Sequence, residues 1–126
     1  MLGTGAVLEA DRVVWACGAW LPRIFGPLLD LRITQQDIFY FGAPAAWATP
    51  GIPAWVDYDG AVYGLGDLDG HGFKVAPDVE GPPFDPESGE RVPRPEYERL
   101  ARDHLAYRFP ALAGAPIIGS RYASTR

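Results

Sequence analysis

An α+β fold, built on a mixed, largely antiparallel sheet with one main helix, is predicted for this chain by three observations. The 126 residues include 15 Gly and 13 Pro, which interrupt regular helix too often for a bundle. Short β-branched and aromatic runs alternate with turn signals along most of the length. A single stretch carries apolar residues at helical spacing over several turns.

Taken in order, residues 11–17 contain Val13-Val14-Trp15-Ala16, a continuous apolar run that reads as a fully buried strand closed by Gly18. A turn follows at Gly18-Ala19-Trp20. Residues 32–41 are β-branched and aromatic with partial alternation, which predicts a long strand with one wet face. Residues 43–53, rich in Ala, Pro and Gly, form a loop. Three short strands are expected at 54–58, 61–65 and 72–76. Asp59-Gly60 joins the first two as a hairpin turn, with Gly supplying the positive φ. The Pro-rich stretch 78–95 has too few N–H donors for a sheet interior and reads as a surface excursion. From Pro95 to Phe109, the residues Tyr97, Leu100, Ala101, Leu105 and Phe109 recur at helical spacing. Pro95 suits the first turn, Glu98 lies four residues before Arg102, and Pro110 stops the helix. Ile117 and Ile118 open a last strand running toward Tyr122.

The length fits one ordinary domain, and 48% hydrophobic residues suffice for a packed core. A net charge of -5 gives no basic footprint, so no nucleic-acid or membrane-surface partner is expected. Cys17 is the only cysteine. That excludes an internal disulfide and a Cys-based zinc site, and agrees with a reducing, cytoplasmic setting. No apolar run approaches a membrane span, and no charged leader with a cleavage site opens the chain.

Lys74 carries the clearest chemical signal. It lies between Phe73 and Val75 on a Gly-flanked apolar stretch, where partial burial suits an ammonium to electrostatic work. The bland alternative is a strand lysine whose stem covers apolar surface while its charge reaches water. The run Asp67-Leu68-Asp69-Gly70-His71-Gly72, with Asp78 twelfth from Asp67, imitates a calcium loop. His71 offers nitrogen rather than oxygen, Lys74 repels a cation, and strands flank the loop, so no metal site is expected. His71 and Asp78 flank the lysine, and His104 falls at the surface or boundary of the helix. Cys17 reads as a small buried hydrophobe.

Several of these stretches together carry a resemblance. Ala10-Asp11-Arg12-Val13-Val14-Trp15-Ala16-Cys17-Gly18-Ala19-Trp20 resembles the strand end beside the flavin in amine oxidases of the sarcosine oxidase and N-methyltryptophan oxidase type, within the D-amino-acid oxidase superfamily. Tyr63-Gly64-Leu65 followed by Gly70-His71-Gly72-Phe73-Lys74 resembles that family's strand pair ending at the lysine that assists oxygen reduction. Asp85-Pro86, the helix from Tyr97, and Phe109-Pro110-Ala111-Leu112 follow in the family's order. Gly119-Ser120-Arg121-Tyr122-Ala123-Ser124-Thr125 resembles the strand leading to its Thr-Pro-Asp segment.

The resemblance implies a two-domain FAD protein, with residues 1–22 as a remnant of the FAD domain, residues 30–126 as the substrate domain, and truncation at both ends. Lys74 is then the catalytic cation, Tyr63 and His71 touch the substrate, and Gly18, Ala19, Trp20 and Tyr122 neighbour the cofactor. The substrate is a secondary amine or N-methyl amino acid. Tyr122 stands where several members attach flavin through cysteine, so the FAD of the complete protein is expected to be noncovalent. A dinucleotide cradle needs strand, Gly-x-Gly-x-x-Gly and helix. Gly3-Thr4-Gly5 is the nearest candidate, and Leu8 stands at the third Gly. This segment alone is therefore expected to hold no flavin and to be inactive. The competing expectation is a noncatalytic β-rich module that self-associates through sheet edges, or a homo-oligomer formed through exposed apolar surface.

Overall fold

Strict alternation along β1 (Thr34–Phe41) decides how the sheet is covered. Gln35, Asp37, Phe39 and Phe41 are buried on one side, while Gln36, Ile38 and Tyr40 stay half-buried on the other, because successive strand side chains point to opposite faces. The computed structural model describes Gly3 and residues 5–125, with side chains through Tyr122. Around β1 stand β2 (Trp55–Asp57), β3 (Val62–Leu65), β4 (Phe73–Pro77) and β5 (Ile117–Thr125). The order is β2-β3-β4-β1-β5 and every ladder is antiparallel. One isolated parallel bridge joins Ala48 to Asp67. The α+β architecture agrees with the sequence.

A short helix α1 (Leu21–Phe25) precedes the sheet, and the main helix α2 (Pro95–Arg108) packs on its Phe39 side. Pro95 at the first helical position loses no hydrogen bond there, and Glu98 pairs with Arg102 at 2.9 Å one turn on. Ala101 and Leu105 of α2 meet Phe39, Phe41, Val62, Phe73 and Val75 of the sheet, with Leu112 closing the end. Trp47, Trp55, Phe73 and Phe109 form a ring cluster, their centroids 5.0–6.1 Å apart. These spacings are those of favourable edge and offset contacts.

Four local expectations need correction. Residues 12–17 form no strand, and Val13, Val14 and Trp15 are exposed. A continuous apolar run makes a strand only between two covered faces, and among the described residues no neighbouring strand pairs with it. Cys17 is half-buried rather than fully enclosed. In the β2–β3 turn the positive φ falls on Ala61, at 47°, and not on Gly60; Gly60 is needed instead for room, since a Cβ there would crowd His104 and Asp57. The Pro-rich stretch is not purely a surface excursion. Gln35 N–H donates to the Pro82 carbonyl and Phe84 N–H to that of Ile33, so this segment occupies the slot beside β1 that β4 leaves empty. Pro83 has no N–H to offer, and Thr34 meets it in an isolated bridge. Gly81 fits only without a side chain, because a Cβ would overlap the Gln35 carbonyl.

His104 gives the fold a measurable pH signature. Contrary to the surface or boundary place expected for it, it is buried at 8% exposure, because α2 turns it toward the sheet. There it lies parallel to the Trp55 ring at 5.8 Å, and its Nε2 has no hydrogen-bond partner. Gly60, Asp57, Tyr107 and Arg108 complete its surroundings. Burial holds its pKa below the usual 6.5, Asp57 opposes that shift, and Arg108 adds to it. As pH falls, the unfolded chain takes up this proton before the folded one does. The His104 contribution is therefore complete above about pH 6.5 and is lost as pH drops through the lower folded pKa. The urea midpoint is expected to fall below pH 6.5 in the native chain, with a visibly shallower slope between pH 6.5 and 5.5 in His104→Gln.

Candidate functional site

Lys74 takes its position from its neighbours. Phe73 and Val75 are both fully buried against α2, so Lys74 must emerge on the opposite face of β4. The register puts it across from Tyr40 of β1 on one side and Leu65 of β3 on the other. Tyr63, paired with Ala76, shares that face. The Lys74 ammonium sits over the Tyr63 ring, 4.8 Å from its centroid, within cation–π range. Among the described residues no carboxylate pairs with it.

Half-burial without an anionic partner holds the Lys74 pKa below the ordinary 10.5, and burial is the cause. Tyr63 moves upward from 10.0, first through burial and then through the charges of Asp78 and Tyr40. At neutral pH this face therefore presents a poorly hydrated cation beside a protonated phenol. Such a pair can stabilise negative charge that develops just above the sheet, and can donate a hydrogen bond to it.

The remaining predicted residues divide into three groups. His71 is exposed, its N–H closing a turn onto the Leu68 carbonyl at 3.1 Å. It borders a depression of about 210 Å³ with Tyr40 and Arg121, away from Tyr63. Gly18, Ala19 and Trp20 form a 3-10 turn beside β5, with Ala19 buried and Trp20 partly exposed. Tyr122 pairs in register with Asp37, so it occupies the α2 side of the sheet. There it touches Phe84 at 5.8 Å, with Arg91 over its ring at 5.7 Å. Lys74 and Tyr63 are thus brought together, whereas Tyr122 lies across the sheet from them.

Two residues of this face went unnoticed in the sequence. Tyr40 stands directly across from Lys74, and Arg121 lies over the Tyr40 ring at 5.8 Å. The Phe39-Tyr40-Phe41 alternation was the available signal for Tyr40. Arg121 depends on the β1–β5 register, which no local pattern announces.

Lys74 lies in a cross-sheet row of neighbours, whereas residues 5–17 form no cradle for the phosphates of a dinucleotide. Leu65, Lys74, Tyr40 and Gly119 form one cross-sheet row, spanning about 14 Å at ordinary strand spacing. Gly119 keeps the β5 end low. The pyrophosphate end is different: residues 6–17 form no strand or helix after Gly5, and Thr4 lies outside the described residues. The Gly3-Thr4-Gly5 stretch leads into no helix start that could hold phosphates, since residues 6–17 are irregular. Asp67 shapes its own turn by accepting from Gly72 N–H at 2.9 Å, and among the described residues no three His, Cys, Asp or Glu converge as metal ligands. No described helix is long and apolar enough to cross a membrane. No family model matches this chain, and no curated protein matches it.

Proposed function

We propose that this chain is the substrate-domain part of an FAD-dependent oxidase acting on the carbon–nitrogen bond of a secondary amine or N-methyl amino acid, in a cytoplasmic setting without nucleic-acid or membrane partners. One observation carries the reading: Lys74 is a half-buried ammonium with no carboxylate partner among the described residues, aimed over Tyr63 on the open face of the sheet. A surface lysine with a purely solvating role gains nothing from desolvation. A cation kept for transient negative charge does.

Noncovalent FAD, when bound, supplies acceptance of a hydride equivalent from the carbon beside nitrogen and its return to dioxygen. Lys74 would hold positive charge where oxygen becomes negative. Tyr63, kept neutral, would wall the amine pocket and donate a hydrogen bond, with His71 at the periphery. Gly18, Ala19 and Trp20 would neighbour the cofactor from beside β5, two strands from Lys74; the Tyr122 side chain does not support the reading, because it lies on the other face. Residues 1–22 would belong with the FAD domain, and the phosphate cradle would come from polypeptide beyond the described residues. The isolated chain is then colourless after purification and yields no peroxide from amines.

In the full-length flavoprotein carrying this segment, Lys74→Met is expected to slow reoxidation by dioxygen about 10²–10³-fold, the usual cost of removing one preorganised electrostatic group. Flavin reduction by substrate should stay close to the native rate. Reoxidation of the native protein should also decline as pH rises through the lowered Lys74 pKa, since the charge is lost there. Stopped-flow traces with equal loss in both half-reactions count against the assignment.

A second reading rests on β5, a nine-residue strand at the sheet edge. Unpaired edge groups of that length can template pairing with another copy. Light scattering that returns a monomer at all accessible concentrations removes this reading.

A further inference from the structure

A cavity lies at the β2 end of the sheet, and neither Lys74 nor Tyr63 lines it. It is a cleft of about 660 Å³ between the turn that follows β2 and the last turn of α2, a size typical of small-molecule sites. Trp55 and Phe109 stand in its wall with ring centroids 5.0 Å apart. Tyr58 and Tyr107 flank it from opposite elements, 87% and 78% exposed. Large aromatic side chains left in water on both sides of one cleft are an informative arrangement.

The charges in the cleft favour a cation. Asp57 uses Oδ1 to accept the Gly60 N–H at 3.0 Å, while its Oδ2 faces only His104 Nε2 at 3.7 Å, beyond hydrogen-bond length. His104 Nε2 makes no hydrogen bond to that oxygen, and burial disfavours the charged form of the imidazole, so it offers the Asp57 carboxylate little compensation. Asp59 borders the same cleft and forms no ion pair with any described residue. Arg108 is the single opposing charge among the lining residues. The rings exclude a hard metal ion, which needs converging oxygens. They suit a weakly hydrated organic cation, attracted to the negative faces of Trp and Tyr.

We infer that the cleft bounded by Trp55, Tyr58, Tyr107 and Phe109, with Asp57 and Asp59 at its border, is a binding site for an alkylated ammonium ion. The site is separate from the proposed amine-oxidising face. Trp55 and Asp57 pair with Gly64 and Val62 on the α2 side of the sheet, whereas Lys74 and Tyr63 project from the opposite side. Either reading can therefore fail without the other.

The test titrates the chain at low salt with choline chloride and, in parallel, with 3,3-dimethylbutan-1-ol, its uncharged isostere, following backbone amide resonances. Choline is expected to bind about 5–30-fold more tightly than the alcohol, the range that ring and carboxylate attraction to a partly desolvated cation supports. Tyr107→Ala and Asp59→Asn alter exposed positions that the core does not use, and each should weaken choline binding by about 3-fold or more. Arg108→Gln should tighten it, since a repelling charge is removed. Resonance shifts should cluster at Trp55–Asp59 and Tyr107–Phe109. Equal affinity for the two probes, no binding of either, or weaker binding in Arg108→Gln overturns the site.

Discussion

Phe73→Ala is expected to lower the unfolding free energy by about 3–5 kcal/mol, the usual range for deleting a fully buried aromatic ring. Phe73 is 0% exposed and central to the ring cluster. It meets Trp47 edge-on at 5.8 Å, Phe109 at 5.0 Å and Trp55 in a stack at 6.1 Å. Three large rings, held by the 45–47 turn, β2 and the end of α2, cannot collapse into the vacated volume, so the cavity term adds to the lost transfer free energy. Small domains hold only about 5–15 kcal/mol in total, and the substitution removes a large share of that. Urea denaturation of the native chain, Phe73→Leu and Phe73→Ala should give midpoints in descending order. A loss under about 1 kcal/mol for the alanine variant would show that the cluster is not the centre of the core.

Asp37→Ala is expected to cost about 2–5 kcal/mol, because it removes the acceptor of one buried and one half-buried donor at once. The Asp37 carboxylate is 2% exposed and accepts from Gln35 Nε2 at 2.8 Å and from the Arg94 N–H at 2.7 Å. Gln35 also donates to the Val92 carbonyl at 3.0 Å. These bonds join β1 to the residues immediately before α2, and the Arg94 N–H is one that the start of the helix cannot satisfy internally. Amide exchange should therefore accelerate most at Arg94 and the first turn of α2. Asp37→Asn retains one acceptor and should fall between native and alanine. Uniform exchange across the chain, or no change at Arg94, would contradict the tether.

The elements with a strong local pattern were readable in advance. The alternation in residues 32–41, the apolar spacing between Tyr97 and Phe109, and the hairpin signal at Asp59-Gly60 each correspond to an observed element, with ends displaced by a residue or two. What escaped depended on partners distant in sequence. Val13-Val14-Trp15 has the composition of a buried strand but no described neighbour to pair with. Phe84 and Gly81 are buried because the start of β1 needs a companion where β4 has turned away, and a proline count carries no such information. On the candidate site, Lys74 and Tyr63 were legible as a cation and an aromatic on short strands. Tyr40 and Arg121 join them only through register. The aromatic cleft combines Tyr58 with Tyr107, which meet through the packing of α2 on the sheet and through no feature of either segment.

Lys74 sits between two residues that the core cannot release. A one-residue slip of β4 would exchange the faces of the whole strand, thrusting the ammonium among Trp47, Trp55 and Phe109 and expelling Phe73 into water. Burying an unpaired charge costs far more than the local pairing could return. Misaligned pairings of β4 are thereby penalised during folding as well as in the finished protein, and an insertion or deletion within Phe73–Pro77 should abolish folding where the same change in the 68–71 turn is tolerated.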